Sequence, residues 1–247
     1  MRRFLAALRF LTVIPVPGAW GSGEAELAGS VPFFPVVGLL LGALSALVAW
    51  GVSLVAPPLV SSAVIVVVLL AFSGGLHMDG LADAADGLLS ARPRERVLEI
   101  MQDSHVGALG VVAIVCVLLV KFASLASLAP GNLWRAAFLM PVAGRCALVV
   151  HMALLRYVRP GGLGAVFFRQ RPVGAAVGAV MVLALGSWAV VGADGFIVAG
   201  ACVAVTLGLA AYFRHRLGGA TGDTLGATCE IVEIVPAFAL ALSPWGW

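Results

Sequence analysis

Seven stretches of this chain, at 31–56, 59–76, 106–129, 133–155, 173–192, 195–213 and 225–247, are apolar over lengths suited to crossing a bilayer. No other feature narrows its folds as much. A helical crossing needs about 20 mostly apolar residues. Inside hydrocarbon every backbone N–H and C=O must find a partner within the protein, which leaves helices or closed barrels. None of the stretches alternates apolar with polar residues, so helices follow. With 62% hydrophobic and 11% charged residues and a mean hydropathy of +1.08, the chain lies far from soluble domains, where about 25% of residues are charged. The expected fold is an all-α integral membrane protein, a bundle of about seven transmembrane helices.

Basic residues fix the expected orientation, because Lys and Arg stay on the cytoplasmic side of short loops. Of 15 Lys and Arg, twelve fall on one side: Arg2, Arg3 and Arg9 before the first stretch, Arg92, Arg94 and Arg96 after the second, Arg156, Arg159, Arg169 and Arg171 after the fourth, and Arg214 and Arg216 after the sixth. The turns at Pro57-Pro58, Pro130-Gly131-Asn132 and Ala193-Asp194 carry none. The N-terminus is therefore expected in the cytoplasm and the C-terminus outside. The net charge of +3 reports topology and contact with anionic membrane lipid, and gives no reason to invoke nucleic acid.

The start of the chain invites reading as a signal peptide, since Arg2-Arg3 precede an apolar run, but no small-residue cleavage site follows. Phe4, Leu8 and Leu11 share one helical face and Arg2 and Arg9 another, which predicts an interfacial amphipathic helix ending at Pro15-Val16-Pro17. Cys116, Cys146, Cys202 and Cys229 lie within the apolar stretches without metal-site spacing and read as small core residues. One polytopic domain over 1–247 is expected, with an acidic catalytic segment at 77–105 and a Gly-rich loop leading to an acidic helix start at 214–233.

Outward turns are minimal, so chemistry is expected on the cytoplasmic face. The run Gly75-Leu76-His77-Met78-Asp79-Gly80-Leu81-Ala82-Asp83-Ala84-Ala85-Asp86-Gly87 holds three carboxylates within about 60° of one another if helical. Like charges on one stripe repel unless a cation joins them, and carboxylate oxygens suit Mg²⁺ or Mn²⁺ working with substrate phosphates. The plainer reading is a solvated acidic cap. Further on, Pro93 is expected to open a helix carrying Glu99 and Asp103 one turn apart. Arg92, Arg94 and Arg96 serve either as membrane anchors or as phosphate contacts.

Two further loops carry polar residues. Arg156 to Pro172 interleaves four arginines with Tyr157, Phe167 and Phe168. Leu217 to Gly226 is glycine-rich, suited to an anion nest, and leads to Asp223, Glu230 and Glu233, where Asp223 and Glu230 share a helical face. Within the stretches, Arg135 can snorkel, and Lys121 is read as reaching the outer interface. Arg145, near mid-span, needs a carboxylate or phosphate partner. His151 reads as a hydrogen-bonded core histidine.

The run from Gly74 to Gly87, followed by Leu98-Glu99-Ile100-Met101-Gln102-Asp103-Ser104, resembles the signature of the cobalamin synthase family, adenosylcobinamide-GDP ribazoletransferases. Phe10-Leu11-Thr12 with Ile14-Pro15-Val16-Pro17, Phe33-Phe34-Pro35-Val36-Val37-Gly38, and Thr221-Gly222-Asp223 with Gly226-Ala227 and Glu230 are similar to it in order and spacing. His105 departs from the Arg or Lys expected after Asp-Ser. The resemblance implies transfer of a cobinamide phosphate from adenosylcobinamide-GDP to alpha-ribazole or its 5'-phosphate, with GMP leaving. It implies Mg²⁺, with Mn²⁺ as alternative, held by Asp79, Asp83, Asp86 and Asp103. A catalytic role follows for His77 and the three aspartates of the stripe. Substrate contacts fall to Arg92, Glu99, Arg145, Gly222, Asp223, Glu230 and Glu233. A homo-oligomer is left open. Two other readings stand beside this one. A CDP-alcohol phosphotransferase-like lipid synthase shares the Asp83-x-x-Asp86-Gly87 spacing, and a cation-coupled transporter would use Lys121, Arg145, Glu230 and Glu233.

Overall fold

The computed structural model describes residues 1–103, 105–159, 161–169 and 171–242. Ser104 of the motif, Pro160 and Gln170 of the second loop, and 243–247 of the last apolar stretch lie outside the described residues. The helices are α1 (Arg2–Leu11), α2 (Glu24–Ala28), α3 (Phe34–Ser53), α4 (Pro58–Ser73), α5 (Leu76–Leu88), α6 (Arg94–Ile100), α7 (Ala108–Ala126), α8 (Leu133–Leu154), α9 (Leu163–Phe167), α10 (Val173–Val191), α11 (Gly195–Leu217) and α12 (Gly222–Leu242). There are 3-10 turns at Val31–Phe33 and Gly192–Asp194, and no strand among the described residues beyond one isolated bridge, Tyr157 to Ala220.

By length and composition, five helical stretches are able to cross a membrane, Val31–Ser53, Ala108–Ala126, Leu133–Leu154, Val173–Leu217 and Gly222–Leu242, with a sixth if α4 and α5 count together. Val173–Leu217 is a hairpin of α10 and α11. A Cβ on Gly195 would lie 2.3 Å from the Ser187 carbonyl carbon, whereas eight residues of straight helix would separate the two by about 12 Å. The chain is thus a multi-pass membrane protein.

Helix α8 forms the axis. It is buried from Ala136 to Met152 almost without interruption, with α3, α10 and α12 packed around it. Glycines let α3 come close, because a Cβ on Gly42 would sit 2.4 Å from the Phe138 carbonyl oxygen and one on Gly38 3.0 Å from that of Pro141. Small residues four apart serve helix association where lipid offers no hydrophobic drive. The outer helices show the reverse face: Val173, Val177, Met181, Leu185 and Trp188 of α10 are exposed, while Ala179, Leu183, Ser187 and Val191 are buried. An apolar outside suits hydrocarbon.

Three expectations are corrected. The stretch 59–76 does not run on as one span. α4 stops at Ser73, Gly74 and Gly75 adopt φ of +60° and +79°, conformations that glycine takes without steric cost, and α5 leaves at 90°. We read α5 as lying outside the spanning segments, across the end of the bundle between α7 and α12. Second, α6 ends at Ile100, so Asp103 lies beyond the helix that Glu99 occupies. The Asp103 carboxylate instead accepts from the His105 backbone N–H at 3.1 Å and lies 2.6 Å from Nδ1 of the same residue, a local turn that competes with helix.

Third, the Gly-rich loop is shorter than expected. Gly222 already begins α12, and Thr221 and Thr224 exchange hydrogen bonds, Thr221 N–H to Thr224 Oγ1 at 2.9 Å and Thr224 N–H to Thr221 Oγ1 at 3.2 Å, in the manner of a capping box. The loop glycines serve backbone approach: a Cβ on Gly219 would lie 2.2 Å from the Arg156 carbonyl oxygen. There the extended segment after α8 pairs with the loop, through Ala220 N–H to Arg156 O at 2.8 Å and Val158 N–H to Ala220 O at 3.0 Å. At the other terminus α1 is amphipathic as expected, and its apolar side, Ala7, Leu8 and Leu11, joins the main hydrophobic core.

Candidate active site

The acidic segment and the start of α12 meet because both carry glycine at the crossing. A Cβ on Gly80 would lie 3.1 Å from the Asp223 Cα, and one on Gly226 2.8 Å from the His77 carbonyl oxygen. The crossing forms part of a cavity of about 180 Å³ lined by His77, Asp79, Gly80, Gly222, Asp223 and Gly226 together with apolar residues from α1, α3, α8 and α9. Asp79 is exposed and Asp83 half-buried. Burial, with the facing carboxylates of Asp223 and Asp79, pushes the Asp83 carboxyl up to about 6 against the pull of Arg159. Asp79, Asp83 and Asp223 therefore form one mutually repelling group drawn from two helices. Gly222 lines the same cavity, with nothing within 4 Å of where its Cβ would stand.

Sequence reasoning did not single out Arg159. Its Nη2 lies 2.6 Å from Asp223 Oδ2. Successive side chains of an extended segment point to opposite faces, and the pairing of 156–158 with Ala220 turns Arg159 to the carboxylates; nothing in the arginine count separates it from its three neighbours in the loop. His77 is buried, and its Nδ1 has no hydrogen-bond partner. Burial, aided by the charges of Arg145 and Lys121, holds its imidazole well below the ordinary value, so the ring is neutral.

Asp86 is turned elsewhere. Its two oxygens accept from the backbone N–H groups of Gly107, at 2.7 Å, and Gly110, at 2.8 Å, which are the N-cap and third residue of α7. Both must be glycine for the carboxylate to come so near, since a Cβ on either would stand 2.4 Å from an Asp86 oxygen. Asp86 thus does for α7 what an N-cap side chain does, satisfying amides that the helix leaves open. Asp103 and Glu99 line a separate pocket with Asp86, and Glu99 is held by Arg96 at 2.6 Å. Arg92 is exposed and lines neither this pocket nor the cavity with Asp79.

Arg145, Glu230 and Glu233 form a buried network with Lys121. The Lys121 Nζ lies 2.6 Å from Glu230 Oε2 and 2.8 Å from Glu233 Oε2, and Arg145 donates to Glu233 Oε1. None of the four is more than 3% exposed. Two cations and two anions cancel, which is how charge persists away from water. Lys121 therefore does not reach an outer interface, and Arg145 finds its carboxylate partner in Glu233. His151 lies 2.9 Å through Nδ1 from Thr228 Oγ1, as a core histidine would.

Several arginines donate to carbonyls at helix ends: Arg94 to Leu217 O at 2.7 Å, Arg214 to Leu154 O at 2.8 Å and Arg216 to Leu88 O at 3.2 Å. The last turn of a helix leaves such carbonyls without partners.

Among the described residues no three His, Cys, Asp or Glu side chains make a ready metal cage. Mg²⁺ keeps several waters and binds through one or two carboxylates plus substrate phosphates. The strained group of Asp79, Asp83 and Asp223 has the donors for it, whereas the geometry commits Asp86 to α7 and Asp103 to His105.

Residues 3–241 match the family described as cobalamin-5-phosphate synthase. Relatives named adenosylcobinamide-GDP ribazoletransferase include one from Roseiflexus sp., 42% identical and covering 96% of this chain and 88% of its own. Another, from Citrobacter koseri, is 39% identical over 97% of this chain and 98% of its own, and a third, from Desulforamulus reducens, is 38% identical over 96% and 94%. No solved structure matches. With a match running almost from end to end and this level of identity, the chain belongs to the cobalamin-5-phosphate synthase family.

Proposed function

We propose that this protein joins adenosylcobinamide-GDP to alpha-ribazole or its 5'-phosphate, releasing GMP. The observation that carries this reading is a cavity lined by His77, Asp79 and Asp223, with Asp83 and Arg159 beside those carboxylates. In the transfer, a ribose hydroxyl oxygen bonds to the cobinamide-linked phosphorus and the bond from that phosphorus to the oxygen of GMP breaks. Such a displacement depends on positioning and on neutralising diphosphate charge. Bound Mg²⁺, held by one or two of Asp79, Asp83 and Asp223 together with substrate phosphate oxygens, would supply positive charge beside the diphosphate. Arg159, drawn from its ion pair with Asp223, is suited to grip a phosphate oxygen. His77, unprotonated and with its Nδ1 unpartnered, is suited to take the hydroxyl proton.

The decisive experiment measures GMP release from adenosylcobinamide-GDP with and without alpha-ribazole 5'-phosphate and Mg²⁺. Release that requires both supports the reading, and undiminished turnover in EDTA overturns its metal component. The transporter reading finds no support, because its four charges neutralise one another inside the bundle. The arginine distribution favours a site on the cytoplasmic face of a bacterial inner membrane.

A further inference from the structure

The cavity beside the carboxylates is mostly apolar, and three aromatic rings form one part of its wall. Phe10 of α1, Phe34 of α3 and Phe167 of α9 touch one another, with ring centroids 6.1 Å apart for Phe10 and Phe34, 4.6 Å for Phe10 and Phe167, and 5.7 Å for Phe34 and Phe167. Leu148 and Leu225 extend the lining toward the crossing of α5 and α12, where His77, Asp79 and Asp223 stand. Phe34 and Phe167 are buried and so held in place. α1, α3 and the loop helix α9 converge at this wall.

We propose that this aromatic wall receives the flat base of the acceptor nucleoside, and that it selects a base poor in hydrogen-bonding groups over a purine. The proposal rests on the reading of the cavity as the transferase site. Size allows it: a closed apolar cavity of about 150 Å³ accommodates a benzene ring, and this one measures about 180 Å³ and opens toward the acids. The corrin ring is too large for it, which leaves a nucleoside base. Aromatic side chains favour offset or edge-on ring contacts at centroid separations of about 4.5–7 Å, the range the three phenylalanines already keep among themselves. Guanine fits poorly, because its edge carries several donors and acceptors that a wall of Phe and Leu would leave unpaired. A base seated against the phenylalanines would carry its ribose toward His77 and Asp79, where the attacking hydroxyl is needed.

The test uses the full-length protein in lipid nanodiscs. Wild type must first release GMP in a manner dependent on both substrates, and a failure there counts against the parent reading alone. With that established, Phe10→Leu and Phe167→Leu are expected to raise KM for alpha-ribazole 5'-phosphate about tenfold, the scale on which an apolar pocket senses small changes of fit. KM for adenosylcobinamide-GDP should stay within about twofold. Equal rises in both values, or a rise confined to adenosylcobinamide-GDP, overturn the proposal. A second measurement needs no variant. Equilibrium dialysis of labelled alpha-ribazole against wild type should show displacement by free 5,6-dimethylbenzimidazole and none by equimolar guanine or adenine. Displacement by the purines as effective as that by the benzimidazole, or no displacement by the benzimidazole, sinks the idea.

Discussion

Asp83 and Asp86, three residues apart on α5, do different things, and the difference comes from what faces each one. Asp83 sits among carboxylates and is pushed up to about 6. A carboxyl raised above its ordinary 3.8 weakens the fold as pH rises through that interval, because the charged form is worse off folded than unfolded. Asp83→Asn is therefore expected to melt no lower than wild type at pH 7 without metal, while GMP release falls about a hundredfold or more. Calorimetric melts beside turnover assays check both halves; a lower melting temperature would show that Asp83 is structural. Asp86 should behave in the opposite sense. Asp86→Ala removes the acceptor of two amides of α7 and is expected to cost about 1–2 kcal/mol, read as a lowered melting temperature with or without Mg²⁺, whereas a stability loss seen only with Mg²⁺ present would return Asp86 to the metal. The shared stripe of Asp79, Asp83 and Asp86 was legible from spacing alone. The diversion of Asp86 was not, since its partners Gly107 and Gly110 lie 21 and 24 residues away.

At the scale of elements, helices carry the charges that hold them together. α7 brings Lys121, α8 brings Arg145, and α12 brings both glutamates. Removing one member leaves an uncompensated charge, so Lys121→Met is expected to destabilise by about 3–5 kcal/mol. Pairing it with Glu230→Gln should restore part of that loss. Folded yield and melting temperature are the readouts, and an unchanged KM for either substrate in any folded fraction separates this role from substrate binding. Arg145 was legible as a cation in need of a carboxylate or phosphate, and Glu233 is that carboxylate; that Lys121 would join it with Glu230 was not. The periodicity of one helix says which face a residue occupies and nothing about which neighbour lies across from it. The same gap explains Arg94, Arg214 and Arg216, whose part as caps on distant helix ends no spacing announces.

For the whole molecule, spans were the most legible feature, because hydrocarbon leaves the backbone so little choice. Boundaries of α3, α7, α8, α10 and α11 fall within a few residues of the apolar stretches. The 90° departure of α5 was hidden by a sequence apolar enough to continue α4. Orientation remains to be measured: with the N-terminus inside, single cysteines at Ser90 and Gly162, in a background lacking the native four, should react with an impermeant maleimide only after the cytoplasmic face is opened. Labelling of intact cells would invert the arrangement.

The buried network has a consequence for how the chain is made. Ribosomes deliver α7 and α8, with their cations, well before α12 brings the carboxylates that neutralise them. Until then Lys121 and Arg145 stand uncompensated in hydrocarbon, where translocon measurements assign each about 2.5–3.5 kcal/mol. α12 is what neutralises both cations, so a chain ending at Thr221 is expected to be cleared by membrane proteases while the chain carrying α12 persists. Pulse-chase lifetimes of the two forms would show it, with equal lifetimes counting against the idea. Because α12 supplies both Asp223 of the candidate site and the counter-charges of the core, a chain that stops before it lacks the one along with the other.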